Sequence, residues 1–247
     1  MPSLAGLPAA TVRHLLDPLL AVVFPSSCPG CGSALDHPTR GPLCAACWAN
    51  LPRHRSGLCP CGFPLPVGLL ACGRCRRGLQ PLHRGASLGP YEGSLRTLVH
   101  ELKFRGRRRV AARLAEELLV APATRGLLEK GAVLVPVPLH PRRWRERGYN
   151  QSELLARELS IRTGLELAAR ALVRRVDTPP QAGLSAAGRR KNVAGAFAVR
   201  KRTSVAGRVV VLLDDVTTTG ATALACARIL KEAGAAEVRL LSVARVA

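Results

Sequence analysis

The chain has 247 residues, 47% of them hydrophobic and only 3% aromatic, and a formal net charge of +21 at pH 7. So much apolar material excludes wholesale disorder, and the length suits one α/β domain plus a small module with an aliphatic, Ala-rich core. Nearly all of the 37 basic residues are Arg. Arginine suits bidentate phosphate contacts, so the charge points to a polyanionic partner, although Arg also accumulates with GC-rich coding.

No stretch approaches the roughly 20 apolar residues of a membrane-spanning helix. The N-terminus does not read as a signal peptide, because Arg13 and Asp17 interrupt its apolar run and Pro18 lies within it. The expectation is a cytoplasmic protein whose cysteines are reduced ligands and not disulfides.

In chain order, residues Thr11 to Phe24 predict an amphipathic helix, with Leu15, Leu16, Leu19, Leu20 and Val23 on one face. It would form an N-terminal segment over 1–24. Eight cysteines then fall within 48 residues as four close pairs: Cys28/Cys31, Cys44/Cys47, Cys59/Cys61 and Cys72/Cys75. Gly32, Gly62 and Gly73 stand beside them, as in tight knuckles that aim backbone N–H groups at sulfur. Four thiolates from two such knuckles make a tetrahedral zinc site. The spacing predicts one or two structural zinc ions in a Cys-rich double zinc-ribbon module over 25–84. It leaves consecutive and crossed pairing open. The region has little apolar material of its own, and zinc contributes about 10–16 kcal/mol in small fingers. Cys226 stands apart and reads as a small core residue.

A domain over 85–247 follows. Ala86 to Tyr91 predicts a strand, and Leu95 to Phe104 and Val110 to Val120 predict helices. Between the helices lies the basic turn Lys103 to Arg109, either a solvated face or a phosphate contact. Val133 to Pro138 is a second strand. It ends in a polar loop from His140 to Gln151, and a helix runs from Ser152 to Thr163. Arg142, Arg143, Arg145, Arg147 and Asn150 in that loop are candidates for pyrophosphate or nucleic-acid phosphate. Trp144 and Tyr149 interleave with the arginines, either as stacking surfaces or as packing for the loop. Leu172 to Val176 predicts a short strand. The segment from Asp177 to Val193 predicts a mobile loop ending in a basic turn, with Arg189 and Arg190 as further phosphate candidates. Gly195 to Val199 resumes a strand.

Val209 to Leu213 is an unbroken apolar run, as in a parallel strand buried on both faces. Asp214-Asp215-Val216-Thr217-Thr218-Thr219-Gly220 follows, then a helix from Ala221 to Glu232 and a last strand from Glu237 to Val246. A helix N-terminus at a strand's carboxyl end offers unpaired N–H groups and about half a positive charge, a cradle for phosphate. No lysine follows Gly220 and the glycines of a dinucleotide fingerprint are missing, which excludes those two phosphate loops.

This heptapeptide resembles the phosphoribosyl-pyrophosphate loop of type I phosphoribosyltransferases. The resemblance implies that Asp214 and Asp215 hold the ribose hydroxyls, and that Thr217, Thr218, Thr219, Gly220, Ala221 and Thr222 wrap the 5′-phosphate. Magnesium would accompany the phosphoribosyl pyrophosphate. The whole chain, about residues 16 to 246, resembles the ComF family. The motifs that carry this are the paired cysteines, Leu102-Lys103-Phe104, Arg142-Arg143 through Arg147-Gly148-Tyr149-Asn150-Gln151, Thr178-Pro179-Pro180-Gln181 through Arg189-Arg190-Lys191-Asn192-Val193, and the acid–threonine loop.

The resemblance implies an α/β fold: a type I phosphoribosyltransferase-like parallel sheet with flanking helices, preceded by a zinc-ribbon module. It further implies phosphoribosyl pyrophosphate and single-stranded DNA as ligands. A DNA-uptake helicase and other competence proteins would be partners in natural transformation. No catalytic base and no nucleobase pocket are readable. The readings therefore stand as a DNA-uptake accessory, an active phosphoribosyltransferase of nucleotide metabolism with unknown acceptor, or an adaptor with a vestigial loop.

Overall fold

In a computed structural model the described residues are 26–35, 41–54, 58–63, 65, 68–78, 81–177, 188, 193, 195–200 and 204–246. The expected N-terminal helix, most of the expected mobile segment, and Arg189 and Arg190 lie outside them.

The sheet is built from β1 (Arg84–Pro90), β2 (Val133–Pro136), β3 (Glu166–Leu167), β6 (Val209–Thr217) and β7 (Glu237–Arg245), in the order β1-β7-β6-β2-β3. Every neighbouring pair is parallel. A parallel sheet needs cover on both faces, which is why β2 and β7 are buried almost without alternation, β7 even at Arg239, Ser242 and Arg245. One face carries α3 (Gly93–Phe104), α4 (Val110–Val120) and α6 (Gln151–Thr163), whose Leu98, Leu114 and Leu155 pack with Val211, Leu213 and Leu241. The other face carries α7 (Ala221–Glu232), whose Leu224, Ala227 and Leu230 pack with Val210, Leu212 and Leu240. Cys226 is wholly buried there, as expected of a small core residue.

β4 (Leu172–Arg174) and β5 (Phe197–Val199) are both short strands expected from sequence. They leave the main sheet and pair antiparallel with each other. Two local differences from the sequence reading matter for the site. β6 does not stop at Leu213. It stays paired with β7 as far as Thr217, where Asp214 faces Ser242 and Thr217 faces Arg245 in register. The acids are thus strand residues, and the turn is only residues 218–220. The polar loop after β2 also contains a helix, α5 (Pro141–Arg147). Pro141 at its first position and left-handed Gly148 after its end delimit it. The Arg-rich composition hides that pattern from a hydrophobicity reading, since α5 buries none of its residues.

The Cys-rich module holds two short helices, α1 (Ala45–Ala49) and α2 (Gly73–Arg76). It is docked on the sheet and not hung from it. A Cβ on Gly89 would lie 1.9 Å from the Pro52 carbonyl oxygen, and one on Gly85 would lie 2.4 Å from that of Cys61. Only glycine permits so close a backbone approach. His54 Nε2 and Ser87 Oγ lie 2.7 Å apart across the same contact, and Arg53 pairs with Glu117 of α4 at 2.9 Å. Among the described residues no helix is long and apolar enough to cross a membrane.

Candidate functional site

Strand alternation divides the two acids between the faces of the sheet. Asp215 falls on the α3 side, where Lys103 Nζ reaches its Oδ1 at 2.9 Å. Asp214 falls on the α7 side and accepts from Ser152 Oγ at 3.4 Å and from the Asp215 backbone N–H at 2.9 Å. Burial and the neighbouring Asp215 charge push the Asp214 carboxyl up to about 7, against the opposing pull of Lys103. One strand end therefore presents an ion-paired carboxylate beside a carboxyl that titrates near neutrality.

The turn beyond them is suited to phosphate. Gly220 is left-handed, with φ +72°, and serves as the N-cap of α7 without any side-chain cap. The first backbone N–H groups of α7 are thus left for a ligand. Thr217 Oγ1 and Thr219 Oγ1 are shielded from solvent and have no hydrogen-bond partner among the described residues. A buried hydroxyl without a partner is costly, and two so close, one at the end of β6 and one in the turn, are what a bound oxyanion would satisfy. Ala221 and Thr222 open the helix beside them.

Of the other phosphate candidates, Arg142, Arg143, Arg145 and Arg147 all lie on α5. Arg142 is tied to Glu146 at 3.2 Å and to Asp177 at 3.5 Å. Arg174, at the end of β4, is lowered in pKa first by burial and then by the positive Arg143, while Asp177 and Asp214 act in the opposite sense. Arg174 thus lies in the field of Asp214, and Arg143 lies close enough to Arg174 to oppose its charge. Asn150 does not present its side chain as a phosphate ligand. It is buried, Nδ2 donates to the Val137 carbonyl at 2.9 Å, and Oδ1 caps α6 by accepting from Ser152 N at 3.1 Å. That cap sets the start of α6 and so places Ser152 beside Asp214.

Tyr149 is likewise interior. Its hydroxyl donates to the Leu102 carbonyl, Arg108 lies 4.7 Å over its ring, and burial raises its pKa. The exposed aromatics near the arginines are Trp144, 50% accessible, and Phe104, 62% accessible. Arg147 stacks over Phe104 at 5.1 Å. Arg105, Arg109 and Arg145 are exposed around them. Sequence reading gave Lys103 and Phe104 only within the basic turn that was either a solvated face or a phosphate contact, and did not single out Ser152 or Arg174. Each comes from an element remote in sequence from the acid pair.

The eight paired cysteines form two clusters by consecutive pairing: Cys28, Cys31, Cys44 and Cys47, then Cys59, Cys61, Cys72 and Cys75. In each, the sulfurs lie within 4.8 Å of one another. Measured separations include 3.6 Å for Cys31–Cys44, 3.4 Å for Cys59–Cys75 and 3.8 Å for Cys61–Cys72. A tetrahedron of Zn–S bonds of about 2.3 Å has edges of about 3.8 Å, so both donor sets fit zinc. Cys44 N donates to Cys28 Sγ at 3.3 Å and Cys72 N to Cys59 Sγ at 3.2 Å, the bonds that stabilise thiolates. Gly32 and Gly62 are left-handed, with φ +79° and +83°, and turn the knuckles, whereas Gly73 is helical. Two structural zinc ions would replace the core that this module lacks.

Comparison with known proteins agrees with both parts. The double zinc ribbon domain model matches residues 19–84, and the phosphoribosyl transferase domain model matches residues 150–247. A DNA utilization protein, YhgH, of Salmonella typhimurium is 38% identical over 208 residues, 82% of this chain and 90% of that protein. Competence protein F of Haemophilus influenzae is 32% identical over 82% of this chain and 96% of its own length. Competence protein ComFC of Bacillus subtilis is 28% identical over 78% of this chain and 80% of that one. With these two domains in this order, and relatives of this identity along most of its length, the chain belongs to the ComF family.

Proposed function

We propose that this protein binds phosphoribosyl pyrophosphate with magnesium at the acid–threonine turn, binds single-stranded DNA on the adjoining arginine–aromatic surface, and acts in the cytoplasm as an accessory of DNA uptake. The observation that carries the ligand is the pair of buried, unpartnered hydroxyls, Thr217 Oγ1 and Thr219 Oγ1, at the uncapped start of α7. Asp214 and Asp215 would hold the ribose hydroxyls, with Lys103 and Ser152 fixing the two carboxyl groups. Arg143 and Arg174 would face the pyrophosphate, whose charge bound magnesium would help neutralise. Arg189 and Arg190 remain candidates for the same role.

The DNA surface rests on Phe104, Arg147 and Trp144, which combine exposed stacking faces with positive charge. The relatives' names, DNA utilization and competence proteins, favour this role and a helicase or other competence proteins as partners. A titration calorimetry experiment with phosphoribosyl pyrophosphate and magnesium tests the ligand. Binding to the wild type and none to the Asp214→Ala, Asp215→Ala double variant is the expected result. No heat from either protein would end the proposal.

One observation favours a second reading, an active phosphoribosyltransferase of unknown acceptor. A carboxyl held near 7 is poised to exchange protons at physiological pH. Release of pyrophosphate in the presence of a panel of bases and amines, dependent on Asp214, would support it.

A further inference from the structure

Arg245, the last residue of β7, is 3% exposed and lies between the second cysteine cluster and the threonine turn. Nη1 donates to the Gly62 carbonyl at 3.0 Å, and Nη2 donates to the Thr218 carbonyl at 3.4 Å. Its guanidinium carbon sits 3.8 Å from the centroid of the Phe63 ring. That ring lies against the turn itself: a Cβ on Gly220 would come within 2.4 Å of Phe63 Cζ. Cys61-Gly62-Phe63 therefore supplies a metal ligand, a carbonyl and a ring on three successive residues; the carbonyl is linked to the turn through Arg245, and the ring lies against it directly. Cys61 is wholly buried, so this segment has little freedom to adjust.

We propose that Arg245 and Phe63 are positioning residues for the phosphate turn, and that metal at Cys59, Cys61, Cys72 and Cys75 sets the conformation of that turn through them. Among the described residues the first cluster has no such connection. Its neighbours are Trp48, against which Arg113 of α4 stacks at 5.5 Å, and Leu43, which closes on Gly30. The two zinc ions then differ in role: the first organises its own ribbon, and the second also shapes the ligand site. This inference rests on the proposed phosphoribosyl pyrophosphate site for its ligand, but not for its conformational content.

The test uses the full chain and two readouts, zinc content being measured in every variant. Cys75→Ser removes a ligand that does not touch the turn, and Cys31→Ser is the matched change in the first cluster. Loss of zinc from the second cluster should speed amide hydrogen exchange of residues 218–222 about tenfold, the scale of one charge-assisted hydrogen bond. It should weaken phosphoribosyl pyrophosphate by a similar factor. Loss from the first cluster should change neither. Arg245→Met and Phe63→Leu should reproduce the effect with both zinc ions retained, while exchange of residues 133–136 in β2 stays slow and so reports an intact sheet. Equal exchange and equal affinity in wild type, Cys75→Ser and Arg245→Met would overturn the inference. If the wild type fails to bind phosphoribosyl pyrophosphate, the functional reading falls, and the exchange comparison still decides the coupling.

Discussion

Lys103 Nζ and Asp215 Oδ1 meet at 2.9 Å, joining the last turn of α3 to the end of β6. Both side chains are largely buried, at 20% and 10% exposure. Removing one partner of such a pair leaves an uncompensated charge. Lys103→Met should therefore destabilise the protein by about 2–4 kcal/mol in urea unfolding and weaken phosphoribosyl pyrophosphate at least about tenfold. Lys103→Arg should recover much of both. Unchanged affinity in Lys103→Met would remove Lys103 from the site.

Asp214 gives the site a pH dependence with a defined sign. Its carboxyl is raised from 3.8 to about 7, so between these values the folded protein keeps a proton that the unfolded chain releases. That term weakens folding as pH rises through the window and is level above it. Asp214→Asn, which cannot ionise, should gain stability over wild type progressively from pH 4 to pH 7, by at most about 1.4 kcal/mol per pH unit. Denaturant midpoints of the two proteins, compared pH by pH, cancel the other carboxylates. A constant difference would contradict the assignment.

The docking of the cysteine module depends on missing side chains. Gly85→Ala would drive a methyl group toward the Cys61 carbonyl, where 2.4 Å is available, and backbone on both sides must move. A loss of about 1–3 kcal/mol is expected, as for overpacked cores, with faster proteolysis near Pro52 to Phe63. Gly73→Ala is the control. Its nearest neighbour is the end of the Arg77 side chain at 3.4 Å, so it should be neutral or slightly stabilising in α2.

The aromatic residues should separate into two classes by assay. Phe104→Ala and Trp144→Ala should each weaken single-stranded DNA by about 1–3 kcal/mol, with little change in melting temperature. Tyr149→Phe should spare DNA binding and cost about 1 kcal/mol of stability, since its hydroxyl serves the Leu102 carbonyl. Fluorescence anisotropy at several salt concentrations measures the first, because the slope of log affinity with log salt, about −0.7 per phosphate contacted, should persist in the aromatic variants.

Zinc should leave the two clusters at different rates. Cys31 of the first is exposed, whereas Cys59 and Cys61 of the second are buried. A chelator should draw one equivalent quickly and the second slowly, as followed with a metallochromic dye. Cys31→Ser should abolish the fast phase alone.

Much of this was legible in the chain itself. α4 and α7 were read to their observed ends, and β6 was recognised because a parallel strand buried on both faces leaves an unbroken apolar run at Val209 to Leu213. The cysteines announced zinc because their pairs are local, whereas the choice of consecutive pairing needed the tertiary arrangement. α5 was hidden because none of its residues is buried, so no hydrophobic period marks it. Asn150 looked like a ligand residue by type and burial makes it a cap, while Tyr149, read as either a stacking surface or packing for the loop, is packing.

The acid–threonine turn and the four close cysteine pairs follow from neighbours in sequence, whose spacing the peptide geometry carries into space unchanged. The rest depended on how the sheet is covered. Lys103 reaches Asp215 only because α3 packs on the face that Asp215 points to. Arg245 touches both Gly62 and Thr218 only because β7 lies between β1 and β6, with the second ribbon seated on β1 through Gly85. Such contacts join residues far apart in the chain through strand order and close backbone approach, and neither composition nor periodicity encodes those.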